Sequence, residues 1–304
     1  MEQPAVWIII LNYNGRDDTL ACLKSLRHMS YPNAHILVVD NGSHDNSVAA
    51  FRSAYPHLDL LETGENLGFA AGNNRGIAKA LEHGAEYVLL LNNDTEVQPD
   101  FLTQLVQRCQ NNPTIGAAGP KIYYHDQPTT IWSAGGSIDW QRGTSHMIAL
   151  DQPDTGQYNQ ARQVDFLTGC ALLVRSASIK QAGLLDERFG MYYEETEWCV
   201  RLARAGWSLW YEPKSVILHK IKPVQQNQSP RITYYMTRNR LLFLRLTHAP
   251  LRAWLHALVL QDLRTWCSWR IKKRWQGKRD QRLALVQGWR DFLHQRFGMI
   301  PWEA

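Results

Sequence analysis

Several signatures that settle a protein class at once are missing from this chain of 304 residues. It has no run of about 18 apolar residues, so no segment reads as a helix able to cross a bilayer. Met1-Glu2-Gln3-Pro4 passes straight into Val6-Trp7-Ile8-Ile9-Ile10-Leu11 with no basic n-region, which reads as a buried strand and not a signal peptide. The cysteines (Cys22, Cys109, Cys170, Cys199, Cys267) are odd in number, far apart and without a Cys-x-x-Cys pair. A disulfide framework and a zinc site are therefore both disfavoured, and a reducing cytoplasm fits. Neither Gly-x-x-x-x-Gly-Lys-Ser/Thr nor Gly-x-Gly-x-x-Gly follows the first strand, which argues against a P-loop kinase and a nicotinamide enzyme. Low-complexity tracts and internal repeats are absent too. With 44% hydrophobic and 20% charged residues, the chain suits one large globular domain or a core with an appendage.

What is present is unevenly spread. From Arg231 onward 15 Lys and Arg face 4 Asp and Glu, whereas 18 face 24 in the remainder, so the net charge of +5 hides an acidic body and a basic tail. Six of the 12 tryptophans (Trp254, Trp266, Trp269, Trp275, Trp289, Trp302) fall in the same region. From Leu241 the tail mixes leucine and tryptophan with arginine at helical spacing, and Arg245, His248, Arg252 and His256 interrupt its best apolar stretch. Such a segment suits the surface of an anionic membrane. A packed helical subdomain and a homodimer face are the competing readings, with the tryptophans as core. Nucleic-acid binding is a third option for a basic aromatic tail, but no known binding motif appears and none is expected.

The first half alternates strand and helix signals. Strands are expected at Val6–Leu11, Ile36–Val39, Leu58–Leu61 and Tyr87–Leu91. Helices are expected over Asp17–His28, from a cap at Ser43 to about Tyr55, over Ala70–His83, and from Pro99 to about Gln110. This order implies a mostly parallel sheet with helices on both faces. After Gly116 the pattern breaks: Gly135-Gly136, Gly143 and the polar run Asp151–Gln163 read as turns and a loop. Val164–Val174 reads as a strand interrupted at Gly169, where another backbone or a ligand comes close. Glu194–Ala205 is a helix stopped by Gly206, Ser208–Tyr211 and Val216–Leu218 are short strands, and helical patterns dominate from Tyr234.

The most informative stretch is Tyr87-Val88-Leu89-Leu90-Leu91-Asn92-Asn93-Asp94-Thr95. A continuous apolar run reads as a fully buried strand, and it ends in two amides and a carboxylate, oxygen donors of the kind a divalent cation and a diphosphate need. Three other segments place small polar residues at strand ends: Asn12-Tyr13-Asn14-Gly15, Asp40-Asn41-Gly42-Ser43 and Asn66-Leu67-Gly68-Phe69-Ala70-Ala71-Gly72-Asn73-Asn74. Any one alone is an ordinary turn or cap. Four at the carboxyl edge of one parallel sheet favour a nucleotide pocket. Further on, Met191-Tyr192-Tyr193-Glu194-Glu195-Thr196-Glu197-Trp198-Cys199 sets three carboxylates at a helix start. They either complement the helix dipole or, in an aromatic and partly apolar setting, supply a carboxyl with a pKa fit for a general base. His219 follows the apolar strand Val216-Ile217-Leu218; a lone His there is more often structural than a ligand.

In that order and spacing, the four strand-end segments, the last continuing Thr95-Glu96-Val97, resemble family 2 glycosyltransferases of the GT-A fold, rhamnosyltransferase-like branch. The resemblance runs from Val6 to about Leu246. It implies an α/β fold with a GT-A-type nucleotide-binding sheet flanked by helices over residues 1–240 (1–115 the nucleotide-sugar half, 116–240 the acceptor half), followed by a basic, Trp-rich helical tail over 241–304. It further implies that Asp40 contacts the nucleobase, that Asn66, Asn73 and Asn74 line the sugar-nucleotide pocket with Asn12, Asn14, Gly68, Asn92 and Asn93, and that Asn92 and Asp94 take the metal-binding Asp-x-Asp positions. This chain keeps only the second carboxylate of that pair. His219 then completes the coordination of Mg²⁺ or Mn²⁺. Glu195 falls where the family has its acceptor-activating base, Glu for Asp and so one methylene longer. Glu194 and Glu197 are expected to support acceptor binding or the helix cap, Gly169 and Trp198 to meet the acceptor or support the site, and Arg238 and Arg240 to lie near the diphosphate.

The reading is an inverting, metal-dependent glycosyltransferase that uses a nucleotide-diphosphate sugar, with rhamnose favoured, and a glycan or lipid-linked acceptor. It would work in the cytoplasm or at the inner face of the cell membrane. Two alternatives stay open. A sugar-nucleotide pyrophosphorylase would show a Gly-rich loop with Arg and Lys after the first strand, which Asn12-Tyr13-Asn14-Gly15 is not. A non-catalytic membrane or partner-binding module on the same fold gains weight from the reduced Asp-x-Asp, and Glu194-Glu195 counts against it.

Overall fold

Uninterrupted apolar runs bounded by Asn, Asp and Gly can be buried on both faces of a sheet, and three of them, with one short edge strand, build the N-terminal half. The structure, a computed structural model, describes residues 3–221, 229–275 and 277–300. Strands β1 (Val6–Asn12), β2 (Ala34–Asp40), β3 (Asp59–Glu62) and β4 (Tyr87–Asn92) run parallel in the order β3-β2-β1-β4. Helices α1 (Arg16–Leu26), α2 (Ser47–Ala54) and α3 (Gly68–Glu82) connect them. The register sets Asn12 beside Asp40, Asp40 beside Glu62 and Leu11 beside Asn92, so the polar strand ends share one edge. β1 is flanked by β2 and β4, and the sheet's order reverses there, the place where open α/β sheets bind ligands.

The sheet then continues where the sequence pattern suggested turns. After β5 (Thr95–Val97) and α4 (Phe101–Asn111) comes a ten-residue strand, β6 (Ile115–Tyr124), followed by β7 (Gln127–Ser133), the hairpin β8 (Gly136–Asp139) and β9 (Thr144–Met147), and the short β10 (Gln152–Pro153) and β11 (Arg162–Gln163). β12 (Ala171–Arg175) lies antiparallel between β4 and β6. Helices α5 (Ser176–Ala182) and α6 (Glu194–Arg204) lead to β13 (Ser208–His219), which pairs with β5, β6 and β11.

Several local expectations are corrected. The strand expected over Val164–Val174 begins only at Ala171, and the two short strands expected near 208–218 are one strand with an irregular register between Glu212 and Val216. Pro213 has no N–H to give the ladder and the Lys214 N–H goes to Glu212 Oε1, which accounts for the irregularity. Ser43 caps no helix: its Oγ accepts from Asn12 Nδ2 and the Asn14 N–H, and α2 starts four residues later after a left-handed Asn46. Pro99 sits in the turn before α4, where its carbonyl accepts from the Ser30 N–H.

The C-terminal part is helical: α7 (Pro230–Leu246), α8 (Leu251–Leu255), a π-helical stretch (His256–Leu263), α9 (Arg264–Ile271) and α10 (Arg279–Leu293). The boundary expected at residue 240 falls inside α7, whose Leu242, Phe243 and Leu244 are fully buried in the same apolar core as β1 and β4. The boundary expected at 115 falls at the start of β6. Trp254, Trp266, Trp269, Trp275 and Trp289 are half-buried, and Trp302 lies outside the described residues. Among the described residues no helix is long and apolar enough to cross a membrane.

Candidate active site

At the sheet edge most polar side chains are already committed to holding loops together. Asn12 Nδ2 donates to Asp40 Oδ1 at 2.8 Å and to Ser43 Oγ at 3.0 Å, while its Oδ1 accepts from Thr19 at 2.8 Å. Asp40, almost fully buried, also accepts from the Ser43 N–H. Asn14, left-handed, takes the His44 N–H at 2.7 Å. Asn93 Nδ2 donates to Thr19 Oγ1 at 3.0 Å, so it braces the loop before α1. Asn66 Oδ1 accepts from the Gly68 N–H and from Asn41 Nδ2. Buried Asn41, which the sequence reading quoted but did not single out, bridges this loop through Gly68 O, the Leu67 N–H and Thr63.

Asn73 and Asn74 do not line the pocket as expected. Asn73 Nδ2 donates one turn back to Phe69 O, and Asn74 donates to Leu185 O and Glu187 and accepts the Leu185 N–H. Both lie on the buried face of α3, where Asn74 staples the helix to the segment leading into α6.

The end of β4 differs. The Asn92 side chain is half-buried and makes no hydrogen bond to a described residue, and Asp94 Oδ1 is buried and faces the His219 imidazole. Pairing of His219 with Thr95 brings the imidazole to Asp94: His219 Nε2 lies 3.1 Å from Asp94 Oδ1, held edge-on by Trp132 at 4.6 Å between ring centroids. Burial works to raise the Asp94 carboxyl, but the His219 hydrogen bond and charge, with Lys220 nearby, outweigh it and hold the group below the ordinary carboxylate range. Among the described residues no three His, Cys, Asp or Glu side chains gather to cage a metal. One carboxylate, one imidazole and one free amide oxygen fit instead a hard divalent cation whose other positions are left to phosphate oxygens and water.

Two residues join this edge to the expected base. Cys170 O accepts the Asn92 N–H at 2.8 Å, and a Cβ on its neighbour Gly169 would lie 3.7 Å from Glu195 Cβ and 2.9 Å from the ring of Phe69. Gly169 therefore admits the close approach anticipated for it. Glu194 and Glu195 open α6, just after Tyr192 and Tyr193, both left-handed at φ 70° and 74°. Burial pushes the Glu195 carboxyl up to about 7. Glu194 is 4% exposed with Oε2 unpartnered, and burial, then the Glu195 charge, raise it well above the ordinary range. Burial raises both carboxyls, so the pair holds on to a proton into the neutral range.

Other expected residues serve the frame. Glu197 receives Arg201 Nε on both oxygens, at 2.9 and 2.8 Å, and fully buried Trp198 donates to Gly183 O at 2.7 Å, so both hold α6 in its frame. Arg238 is fully buried and spends every donor internally, on Asn239, Tyr234, Gly298, Arg188 and Phe189, so it is not available to a diphosphate. Arg240 donates to Gln261 at 2.6 Å and to Asp262, and is likewise not a diphosphate ligand. Sequence reasoning missed Asn239, whose Nδ2 reaches the carbonyls of Phe189, Met191 and Tyr192. It also missed the C-terminal segment: a Cβ on Gly68 would collide with Met299, and one on Gly190 with Gly298.

Comparison with known proteins gives a consistent result. The model of the family described as glycosyl transferase family 2 matches residues 7–181. N-acetylglucosaminyl-diphospho-decaprenol L-rhamnosyltransferase of Mycobacterium tuberculosis is 31% identical over 231 residues, 70% of this chain and 75% of that protein. The dTDP-rhamnosyl transferase RfbF of Shigella flexneri is 25% identical over 269 residues, 86% of each chain. In fold, the mannosyltransferase PcManGT from Pyrobaculum calidifontis, solved with GDP-Man and Mn²⁺, matches with a TM-score of 0.59 at 16% identity, over 97% of this chain and 89% of that one.

Proposed function

The chain belongs to glycosyl transferase family 2, and from that premise we propose that it is an inverting glycosyltransferase of cell-surface polysaccharide assembly. It takes a sugar, rhamnose first among the candidates, from a nucleotide-diphosphate donor and delivers it to a hydroxyl of a glycan or lipid-linked acceptor. Relatives named for rhamnose transfer and for a decaprenol-linked acceptor support the two substrate classes. The observation that carries the reading is the pairing of Glu195, titrating near 7, with the Asn92-Asn93-Asp94 edge through the Gly169-Cys170 turn.

In the proposed reaction Glu195 removes the proton of the acceptor hydroxyl and orients its oxygen toward the anomeric carbon. The new C–O bond forms as the bond to the diphosphate breaks, its electron pair leaves with the nucleoside diphosphate, and the anomeric configuration inverts. Asp94, His219 and the Asn92 amide are the residues that would hold Mg²⁺ or Mn²⁺. A bound cation supplies charge neutralisation for the departing diphosphate. Protonated Glu194 keeps a second negative charge away from the base. Asn12, Asn14, Asp40, Asn66 and Gly68 shape the nucleotide side through the loops they hold. The enzyme works in the cytoplasm, against the inner face of the cell membrane.

A transfer screen over nucleotide sugars with a polyprenyl-diphosphate-linked acceptor, with and without Mg²⁺ or Mn²⁺, tests this. One donor should be consumed, with a product of inverted anomeric configuration by NMR. Consumption of a sugar phosphate and a nucleoside triphosphate, or product with retained configuration, overturns it.

A further inference from the structure

Amphipathic helices normally turn leucine inward and alanine outward. Between Leu251 and Ile271 the arrangement is reversed. Ala253 and Ala257 are fully buried, while Leu251 is 74%, Leu255 56%, Val259 47%, Leu263 46% and Ile271 77% exposed. The small residues let the helix lie close: a Cβ on Gly143 would be 3.1 Å from Ala253 Cβ. The outward residues recur every four positions. In an α-helix that spacing drifts by about 40° per step, whereas the wider turns of the π-helical stretch His256–Leu263 drift the other way, so the stripe stays on one side. Six of the thirteen large hydrophobic residues that are exposed lie between Leu251 and Ile271, which makes this the richest apolar stretch on the surface of the described residues.

Charge says what covers it. Arg252, Arg264, Arg270, Lys272, Lys273 and Arg274 are exposed beside the stripe and form no ion pair with a described residue. The stripe's acid, Asp262, is buried and accepts from Arg240 and Trp289. A cleft of about 740 Å³, lined in part by Leu260, Arg264, Trp269, Lys272, Arg274 and Trp275, opens among these groups. A second copy of the chain is a poor occupant, because a two-fold pairing would set these cations against one another. Nucleic acid is a poor one too, since exposed aliphatic side chains give bases nothing to stack on. An anionic bilayer accepts both components: aliphatic side chains enter the acyl boundary while cations meet lipid phosphates.

We infer that the 251–274 face is a monotopic docking surface for an anionic membrane, with the exposed leucines as its anchor. Of the half-buried tryptophans, Trp254 packs against the core and Trp289 donates to Asp262, while Trp269 and Trp275 line the cleft beside the stripe. In bringing the enzyme to a lipid-linked acceptor the inference rests on the proposed function, but the binding itself does not, so the two fail separately.

Flotation of the purified chain with vesicles of phosphatidylcholine alone, or mixed about equally with phosphatidylglycerol, tests the inference. Binding should require phosphatidylglycerol and weaken as salt rises. Replacing Lys272, Lys273 and Arg274 with Gln should weaken it on the order of a hundredfold. Leu255→Ser with Leu263→Ser should abolish it while donor hydrolysis and transfer to a short water-soluble acceptor are unchanged, which also shows that the variant is folded. Equal binding to both vesicles, or unchanged binding of the leucine variant, overturns the inference. It is likewise overturned if the wild type is a dimer that the leucine variant breaks, or if it binds a mixed-sequence oligonucleotide and no vesicle.

Discussion

A carboxyl at its ordinary pKa is a poor acceptor for an alcohol proton, and Glu195 differs because burial penalises its charge. The sign of the pH dependence follows. The base acts deprotonated and its pKa stands at about 7, so transfer should rise with pH through about 7 and level off above. Glu195→Gln should bind donor normally by calorimetry and lose on the order of 10²–10⁴-fold in kcat. Glu194→Gln should keep most activity and leave the midpoint of the profile where it is, since in the proposed reaction Glu194 carries a proton and adds no charge beside the base. A dead Glu194→Gln and an active Glu195→Gln would exchange their roles. At the other side, Asp94→Asn removes the carboxylate that faces His219. The variant should fold normally and need far more Mn²⁺ for a much lower rate, on the order of 10²-fold or more. Turnover near that of the parent, or a parent indifferent to chelator, would contradict the role given to Asp94. The placement of Asn92 and Asp94 at a strand end, of Glu195 at a helix start and of His219 beside Asp94 was legible, because such ends fix where side chains emerge. Asn73, Asn74, Arg238 and Arg240 were not, since only the tertiary partner decides which face of α3 or α7 is inside.

Between residue and molecule, the turn before α6 does the positioning. Two consecutive left-handed tyrosines are costly and persist only where their surroundings over-determine them. Here α7 does so: Asn239 reaches three carbonyls of the turn, and Arg238 joins it to Gly298. Asn239→Leu keeps the volume and takes this donor from the Met191 and Tyr192 carbonyls, so it should destabilise the fold by about 2–3 kcal/mol in urea unfolding. Its kcat should fall more than its donor KM rises, because the strand-end edge is untouched. A variant of ordinary stability with unchanged kcat would show that the turn holds itself. The parallel half of the sheet was legible because its strands are unbroken apolar runs. The second half was not, for reasons visible in β6: Gly116, Gly119 and Pro120 lower its strand propensity, yet Trp207 and Leu167 pack against the two glycines so closely that no Cβ fits.

At the scale of the whole molecule, the basic tail is part of the body. Sequence composition marks a boundary near residue 240 because charge and tryptophan content change there, but composition does not reveal which helix bridges the change. α7 crosses it, and α10 packs along α7 so closely that a Cβ on Gly288 would lie 3.0 Å from Tyr234 O. Buried Asp291 accepts from Tyr234, and Asp262 from Arg240, so both acids of the tail's interior hold α7 in place. A chain ended after Arg240 would lose Leu242, Phe243 and Leu244 from the core and leave Arg238 without Gly298. Removing one large buried apolar side chain costs about 2–5 kcal/mol, and a whole domain is stable by only about 5–15 kcal/mol. The truncated chain should therefore be aggregated or readily digested in limited proteolysis, and inactive on a water-soluble acceptor. The leucine-to-serine variants of the docking face should pass both tests, since they touch only the outer surface of the same helices. A truncated chain that stays monomeric, protease-resistant and active would restore the division at residue 240 and make the tail a separable membrane appendage.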